Sequence, residues 1–163
     1  MKRILLTCLL AVSVWLTAIA ANIVTLSSVQ GPPADEVEVS VQLSNSEEIT
    51  ALEMLVPLGD NLNYVDGSVK LNSARSNGHQ ITAAQQDGKL KIFVYSLSLS
   101  ALKGSEGELC IFKLKLGKEP ADYPLVPEVV MSDKSGDAIS SEANSGIVTI
   151  LSPKIEIVTP VID

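Results

Sequence analysis

Few residues in this 163-residue chain are able to do chemistry, and their types and spacing restrict what they could do. A Ser-His-Asp or Cys-His nucleophile system would have to recruit the single histidine, His79, and no nucleophile signature accompanies it anywhere in the sequence. Placed directly after Asn77-Gly78, His79 is expected at the surface, flanking a turn. The 19 Asp and Glu residues could hold a glycosidase pair, but such a pair is defined by a separation in space that linear order does not supply. The chain is therefore not expected to be an enzyme, and no catalytic residue is assigned.

Metal chemistry has one candidate. Asp133-Lys134-Ser135-Gly136-Asp137 puts oxygen-bearing side chains at the first, third and fifth positions of an EF-hand-like loop, which makes Asp133 and Asp137 weak metal candidates and calcium the one ion to consider. Ala138 stands where such a loop needs its turn glycine, and Asn144 where it needs its bidentate acid. A simple hairpin turn is the reading these residues favour, and no cofactor is expected. Of the two cysteines, Cys8 lies within the amino-terminal apolar run, which leaves Cys110 without a disulfide or zinc partner.

The elements that would position any site begin after a leader. Lys2 and Arg3 precede an apolar stretch from Ile4 to Ile19, and Ala18-Ile19-Ala20 is a small-x-small triplet, the pattern of a secretory signal peptide over residues 1–20. A retained membrane helix is the alternative, for which the run is barely long enough. Cys8 sits inside the apolar core instead of after it, which argues against a lipid anchor. Cleavage after Ala20 would leave 143 residues with 10 Lys and Arg against 19 acids, a net charge of −9. Such a surface repels nucleic acid and anionic lipid, so neither nucleic acid binding nor membrane insertion of the mature domain is expected. Export would end in the periplasm or at the surface of a bacterial cell.

From Glu36 to Leu43 polar and apolar residues alternate without error, placing Val37, Val39, Val41 and Leu43 on one face of a strand. Further β-rich runs are expected at Asn22 to Val29, Ile49 to Leu58, Ser68 to Leu71, His79 to Ala84, Lys89 to Leu97, Leu109 to Leu116, Tyr123 to Met131 and Ile147 to Leu151. Turn signals such as Gly31-Pro32-Pro33, Ser44-Asn45-Ser46 and Asp66-Gly67 separate them. No segment after the leader sustains a 3.6-residue stripe, and Ser96 to Lys103 reads as a bridge between strands. The pattern predicts an all-β sandwich of two antiparallel sheets over residues 21–151. Asp87-Gly88 predicts a type I′ hairpin that pairs its flanking strands directly. Residues 152–163, punctuated by Pro153 and Pro160, read as a linker or the start of a following domain.

Parity along the strands sorts candidate core from candidate surface. Leu52, Met54, Val56 and Leu58 share one face, and Ala51, Glu53, Leu55 and Pro57 the other. Cys110, Phe112, Leu114 and Leu116 oppose Lys113 and Lys115 and are expected inside. Between Lys89 and Leu97 two readings stay open, one burying Leu90, Ile92 and Val94, the other burying Phe93 and Tyr95. Tyr64, Phe93, Tyr95, Phe112 and Tyr123 mostly lie in strand runs, so a planar sugar-stacking platform is not expected.

A Val-rich alternating strand ends in Leu43-Ser44-Asn45, followed by Ile49-Thr50-Ala51-Leu52-Glu53-Met54, Leu62-Asn63-Tyr64-Val65 and Gly67-Ser68-Val69. The segments Gly88 to Ser96, Gly107 to Leu114, Ser132 to Ile139 and Gly146 to Ile150 complete the order. This order resembles a cohesin module over nearly all of residues 22–151. The resemblance implies a jelly-roll β-sandwich that performs no catalysis and docks a small, helical, calcium-loaded dockerin on one flat sheet face, a partnership that belongs to polysaccharide degradation. By local alignment it carries recognition strands onto Thr50 to Leu55 and Lys91 to Leu97, with Ala51, Glu53, Gln85, Val94 and Leu97 at contact positions and Leu55 as an exposed apolar neighbour. If Phe93 and Tyr95 face inward, as the family suggests, Leu90, Ile92, Val94 and Leu55 would build an apolar outer patch. A carbohydrate-binding module and a structural spacer of a larger cell-surface protein are the alternative functions, the first with polysaccharide as its ligand.

Overall fold

The computed structural model describes residues 22–153; the expected leader over 1–20 and most of the expected linker over 152–163 lie outside the described residues. In chain order the strands are β1 (Asn22–Leu26), β2 (Val29–Gly31), β3 (Glu36–Ser44), β4 (Ala51–Pro57), β5 (Leu62–Tyr64), β6 (Lys70–Leu71) and β7 (His79–Gln86). They continue with β8 (Lys89–Ser96), β9 (Glu108–Leu116), β10 (Asp122–Leu125), β11 (Glu128–Ser132), β12 (Ala138–Ile139), β13 (Ser141–Asn144) and β14 (Gly146–Ile150). No helix occurs among the described residues.

The strands stack as the expected jelly-roll sandwich. One layer is the sheet β12-β11-β4-β8-β7; the other is divided into β13-β1-β3-β9-β5, with β6 also paired to β9, and β10-β14-β2. Pairing is antiparallel except where β13 runs parallel to β1 and β14 parallel to β2. The division arises at Ser27-Ser28, where the expected single strand Asn22 to Val29 breaks. There the Ser27 hydroxyl accepts the Ser40 N–H at 2.9 Å and the Ser28 hydroxyl accepts the Ile147 N–H at 3.1 Å, so side-chain oxygens replace ladder carbonyls.

Alternation along each strand fills the space between the layers. Val37, Val39, Val41 and Leu43 meet Cys110, Phe112, Leu114 and Leu116 in one buried cluster, with Phe112 wholly inaccessible. Leu109 is buried as well, against its parity. The β3–β9 register slips between Val41 and Gln42, and the resulting bulge turns Leu109 inward beside Cys110. The run expected from Tyr123 to Met131 is two strands in opposite layers, split at Val126-Pro127, because Pro127 has no N–H to continue a ladder. Asp87 and Gly88, at φ of 50° and 72°, form the expected hairpin turn, and β7 pairs with β8 in unbroken register from His79 opposite Ser96 to Gln86 opposite Lys89.

Candidate docking face

The sheet β12-β11-β4-β8-β7 presents the one broad surface built from the residues that the sequence singles out. On β4 and β8 the inward positions Leu52, Met54, Val56, Leu90, Ile92 and Val94 are all 0–1% exposed. Burial therefore resolves the open parity of β8, and it corrects two expectations. Val94 is a core residue with no route to a partner, and Leu90 and Ile92 do not belong to an outer patch. Phe93 and Tyr95 instead face outward, half-buried, with ring centroids 5.0 Å apart and planes 20° apart, so an aromatic ledge exists where none was expected. The physical reason is pairing register. Met54 lies opposite Ile92 and Leu52 opposite Val94, so the apolar set on β4 fixes which face of β8 must be buried.

Gln85 is likewise turned inward, since it shares parity with Ile81 and Ala83, which pack against the core. Its Oε1 accepts the Tyr64 N–H at 2.6 Å and ties β7 to β5 across the layers. Gln85 is thus a cross-layer tether, not a contact residue on the outer face.

Register sets the outward residues in rows across the sheet. Ser132, Ala51, Tyr95 and Gln80 form one row; Val130, Glu53, Phe93 and Thr82 the next; Glu128, Leu55, Lys91 and Ala84 the third. Ala51, Glu53 and Leu55 accordingly lie together on the outer face, each partly accessible. Lys91 Nζ sits 2.7 Å from Glu53 Oε2, and the pair cancels its own charge at the centre of the face. In such an exposed setting the pair adds about 0–1 kcal/mol to stability, so its main effect is on what the surface offers a partner. Around it Val130 is 61% exposed, Leu55 and Phe93 are partly so, and Tyr95 Oη donates to Gln80 Oε1 at 2.8 Å. A shallow depression of about 240 Å³ lies between Ala51, Glu53, Phe93, Val130 and Ser132.

Leu97 follows β8 immediately and is 78% exposed, with Leu99 beside it at 60%. Ser96, Ser98 and Ser100 hold this segment through a hydroxyl ladder, Oγ to Oγ distances being 3.1 and 2.9 Å, and Ser100 N–H donates to Ser96 Oγ at 3.1 Å. The ladder turns the alternate leucines to solvent and holds Leu99 at a φ of 53°. Val130 and Leu99 were not singled out from sequence. Met131, a large apolar residue of opposite parity, was the available sign that Val130 faces out.

The remaining candidates sit elsewhere. Asp133 Oδ1 accepts the N–H groups of Ser135 and Asp137 at 2.8 and 3.0 Å, closing the turn between β11 and β12 as hairpin chemistry requires. Among the described residues no three acidic, histidine or cysteine side chains converge. His79 is buried, contrary to the surface position expected of it: Nδ1 accepts the Asn77 N–H at 3.3 Å, and Nε2 has no hydrogen-bond partner among the described residues. Desolvation lowers its pKa, and the Thr50 carbonyl opposes this more weakly. Arg75, which no local sequence pattern marks, is buried without a carboxylate partner among the described residues. It donates to Asn45 Oδ1 at 2.5 Å and to the Glu106 carbonyl at 3.4 Å, and burial lowers its pKa.

No protein-family model matches the chain and no curated protein does. Solved structures do. The cohesin CaCohA2 from Clostridium acetobutylicum is 18% identical, covers 80% of this chain and 91% of its own, and superposes with a TM-score of 0.68. A non-cellulosomal cohesin from the hyperthermophilic archaeon Archaeoglobus fulgidus is 16% identical over 82% of this chain and 93% of its own, at 0.68. The sixth cohesin of scaffoldin B from Acetivibrio cellulolyticus, solved in complex with a mutant dockerin, is 18% identical over 80% and 99%, at 0.64. The chain therefore has the cohesin fold.

Proposed function

We propose that this chain is an exported, non-catalytic docking module that receives a dockerin-type protein on the outer face of the sheet β12-β11-β4-β8-β7. The observation that carries this reading is the composition of that face. Its central Glu53–Lys91 pair is self-neutralised, and it exposes Val130, Leu55, Phe93 and Tyr95 close together around that pair. Burying the centre of such a surface against an apolar partner releases water without stranding a charge there. Leu97 and Leu99 extend it beyond the end of β8. Several solved cohesins of the same fold are complexes with dockerins, which supports a partner of that class. The signal-peptide pattern expected over residues 1–20 supports export.

Binding of a panel of calcium-loaded dockerins to the immobilised protein tests the proposal. At least one is expected to bind, and Phe93→Asp and Val130→Asp are each expected to weaken it about tenfold or more, in line with loss of a buried interface anchor. Glu53→Lys, which sets a second cation beside Lys91, is expected to weaken it as well. Silence across the panel, or binding indifferent to all three substitutions, would refute the reading.

A further inference from the structure

We infer that β7 is the seam of a two-fold dimer, in which a second copy of this chain pairs antiparallel with it and joins two five-stranded sheets into one. The inference is independent of the docking proposal. It starts from the hairpin. A two-residue turn at Asp87-Gly88 makes Gln86 and Lys89 the pair that exchanges both backbone hydrogen bonds, so Ala84, Thr82 and Gln80 also bond toward β8. The intervening Ile81, Ala83 and Gln85 then direct their N–H and C=O groups away from β8. Among the described residues no other strand pairs with this edge, and none of these groups has a backbone partner in a turn or loop.

The edge also lacks the features that keep edges apart. His79-Gln80-Ile81-Thr82-Ala83-Ala84-Gln85-Gln86 contains no Lys, Arg, Asp, Glu or Pro, and its register shows no bulge. The other outer strands are short, charged or blocked: β12 has two residues, β2 and β5 have three, β13 has four and carries Glu142, and β10 carries Pro124. Beneath β7, Val69 and Leu71 with Ile81 and Ala83 leave a partly covered apolar strip along the flank of the sandwich. The partner that fits is the chain itself. With the two-fold axis at Ala83, Ile81 pairs with the second copy's residue 85 and Thr82 with its residue 84. Each of three outward residues exchanges two hydrogen bonds across the axis, and no charged side chain of the edge faces a like one. For an acidic chain of net charge −7 this uncharged strand is a place where two copies can approach. A single strand pair covers less surface than a stable interface of roughly 800 Å² per partner, so the dimer is expected to form in the high micromolar range.

Sedimentation velocity of the purified protein between about 10 µM and 1 mM, with amide hydrogen exchange at both ends of that range, tests the inference. Expected are a monomer–dimer equilibrium and slowing of Ile81, Ala83 and Gln85 amide exchange at high concentration, while the Thr82 and Ala84 amides stay protected throughout. Ala83→Pro removes an outward donor, and Thr82→Lys with Ala84→Lys sets lysines against each other across the axis on an exposed face; each is expected to raise the dimer dissociation constant at least tenfold. A monomer at 1 mM would overturn the inference, as would a dimer insensitive to both variants. A dimer appearing only after deletion of residues 154–163 would assign the edge to the chain's own tail and overturn it too.

Discussion

His79 shows how little a residue's type and immediate neighbours say about its role. Beside Asn77-Gly78 it reads as a turn residue, yet β7 begins there and its parity carries the imidazole inward. Unfolded, the ring titrates near 6.5. Folded, desolvation holds it lower, so across that window the unfolded chain binds more protons and stability falls as the pH drops from above 6.5 through the depressed value. The thermal midpoint is expected to fall between pH 7.5 and pH 5.5, and His79→Asn to flatten that fall when the two melts are compared by circular dichroism. An unchanged slope in the variant would show that other groups carry the dependence. Arg75 is the companion case. Its guanidinium is buried against Asn45 and the Glu106 carbonyl, binding the loop after β3 to the loops either side of it in space, and nothing local in the sequence announces that position.

At the scale of elements, two glycines separate two physical constraints that sequence alone merges. Gly146 opens β14 with ordinary backbone geometry, but a Cβ there would collide with the Ser27 carbonyl where the chain crosses between the halves of the divided layer. Gly136, in the turn closed by Asp133, has open space around it but a φ of 83°. Gly146→Ala is expected to cost about 2–3 kcal/mol, as overpacking does, and Gly136→Ala about 1 kcal/mol, as left-handed strain does. Urea unfolding of the two variants checks the order; equal losses would mean that β14 can shift to admit a methyl group. The same distinction runs through the recognition surface. The alternation of β4 was readable because Leu52, Met54 and Val56 oppose a mostly polar or small set, whereas both faces of β8 carry large apolar residues, and only pairing with β4 decides between them.

At the scale of the molecule, a single core cluster among the described residues spans both layers, so its interior is expected to open cooperatively. Cys110 reports on this. It is 1% exposed, and burial first, with the Glu108 carboxylate second, pushes its pKa up to about 12. At pH 8 about one thiol in ten thousand is then ionised in the native state, and reagent cannot reach it. Labelling of Cys110 is expected to follow global unfolding, with the free energy from labelling matching that from urea denaturation. Rapid labelling in native buffer would reveal a local opening at the β3–β9 bulge.

The sequence by itself determined the all-β class, the strand that begins at Glu36, the Asp87-Gly88 hairpin and the inward set on β9, because each rests on local period or turn chemistry. Strand parity also placed Ala51, Glu53 and Leu55 on one face of β4, while Leu97 was reached only through the cohesin resemblance. The tertiary structure alone decided that Val94 and Gln85 turn inward, that Phe93, Tyr95 and Val130 turn outward, and that β7 ends the sheet formed by the described residues. Those outcomes depend on which strand lies opposite which, and in what register. A one-residue choice of register exchanges the two faces of a strand, and it is settled by contacts between residues far apart in the chain.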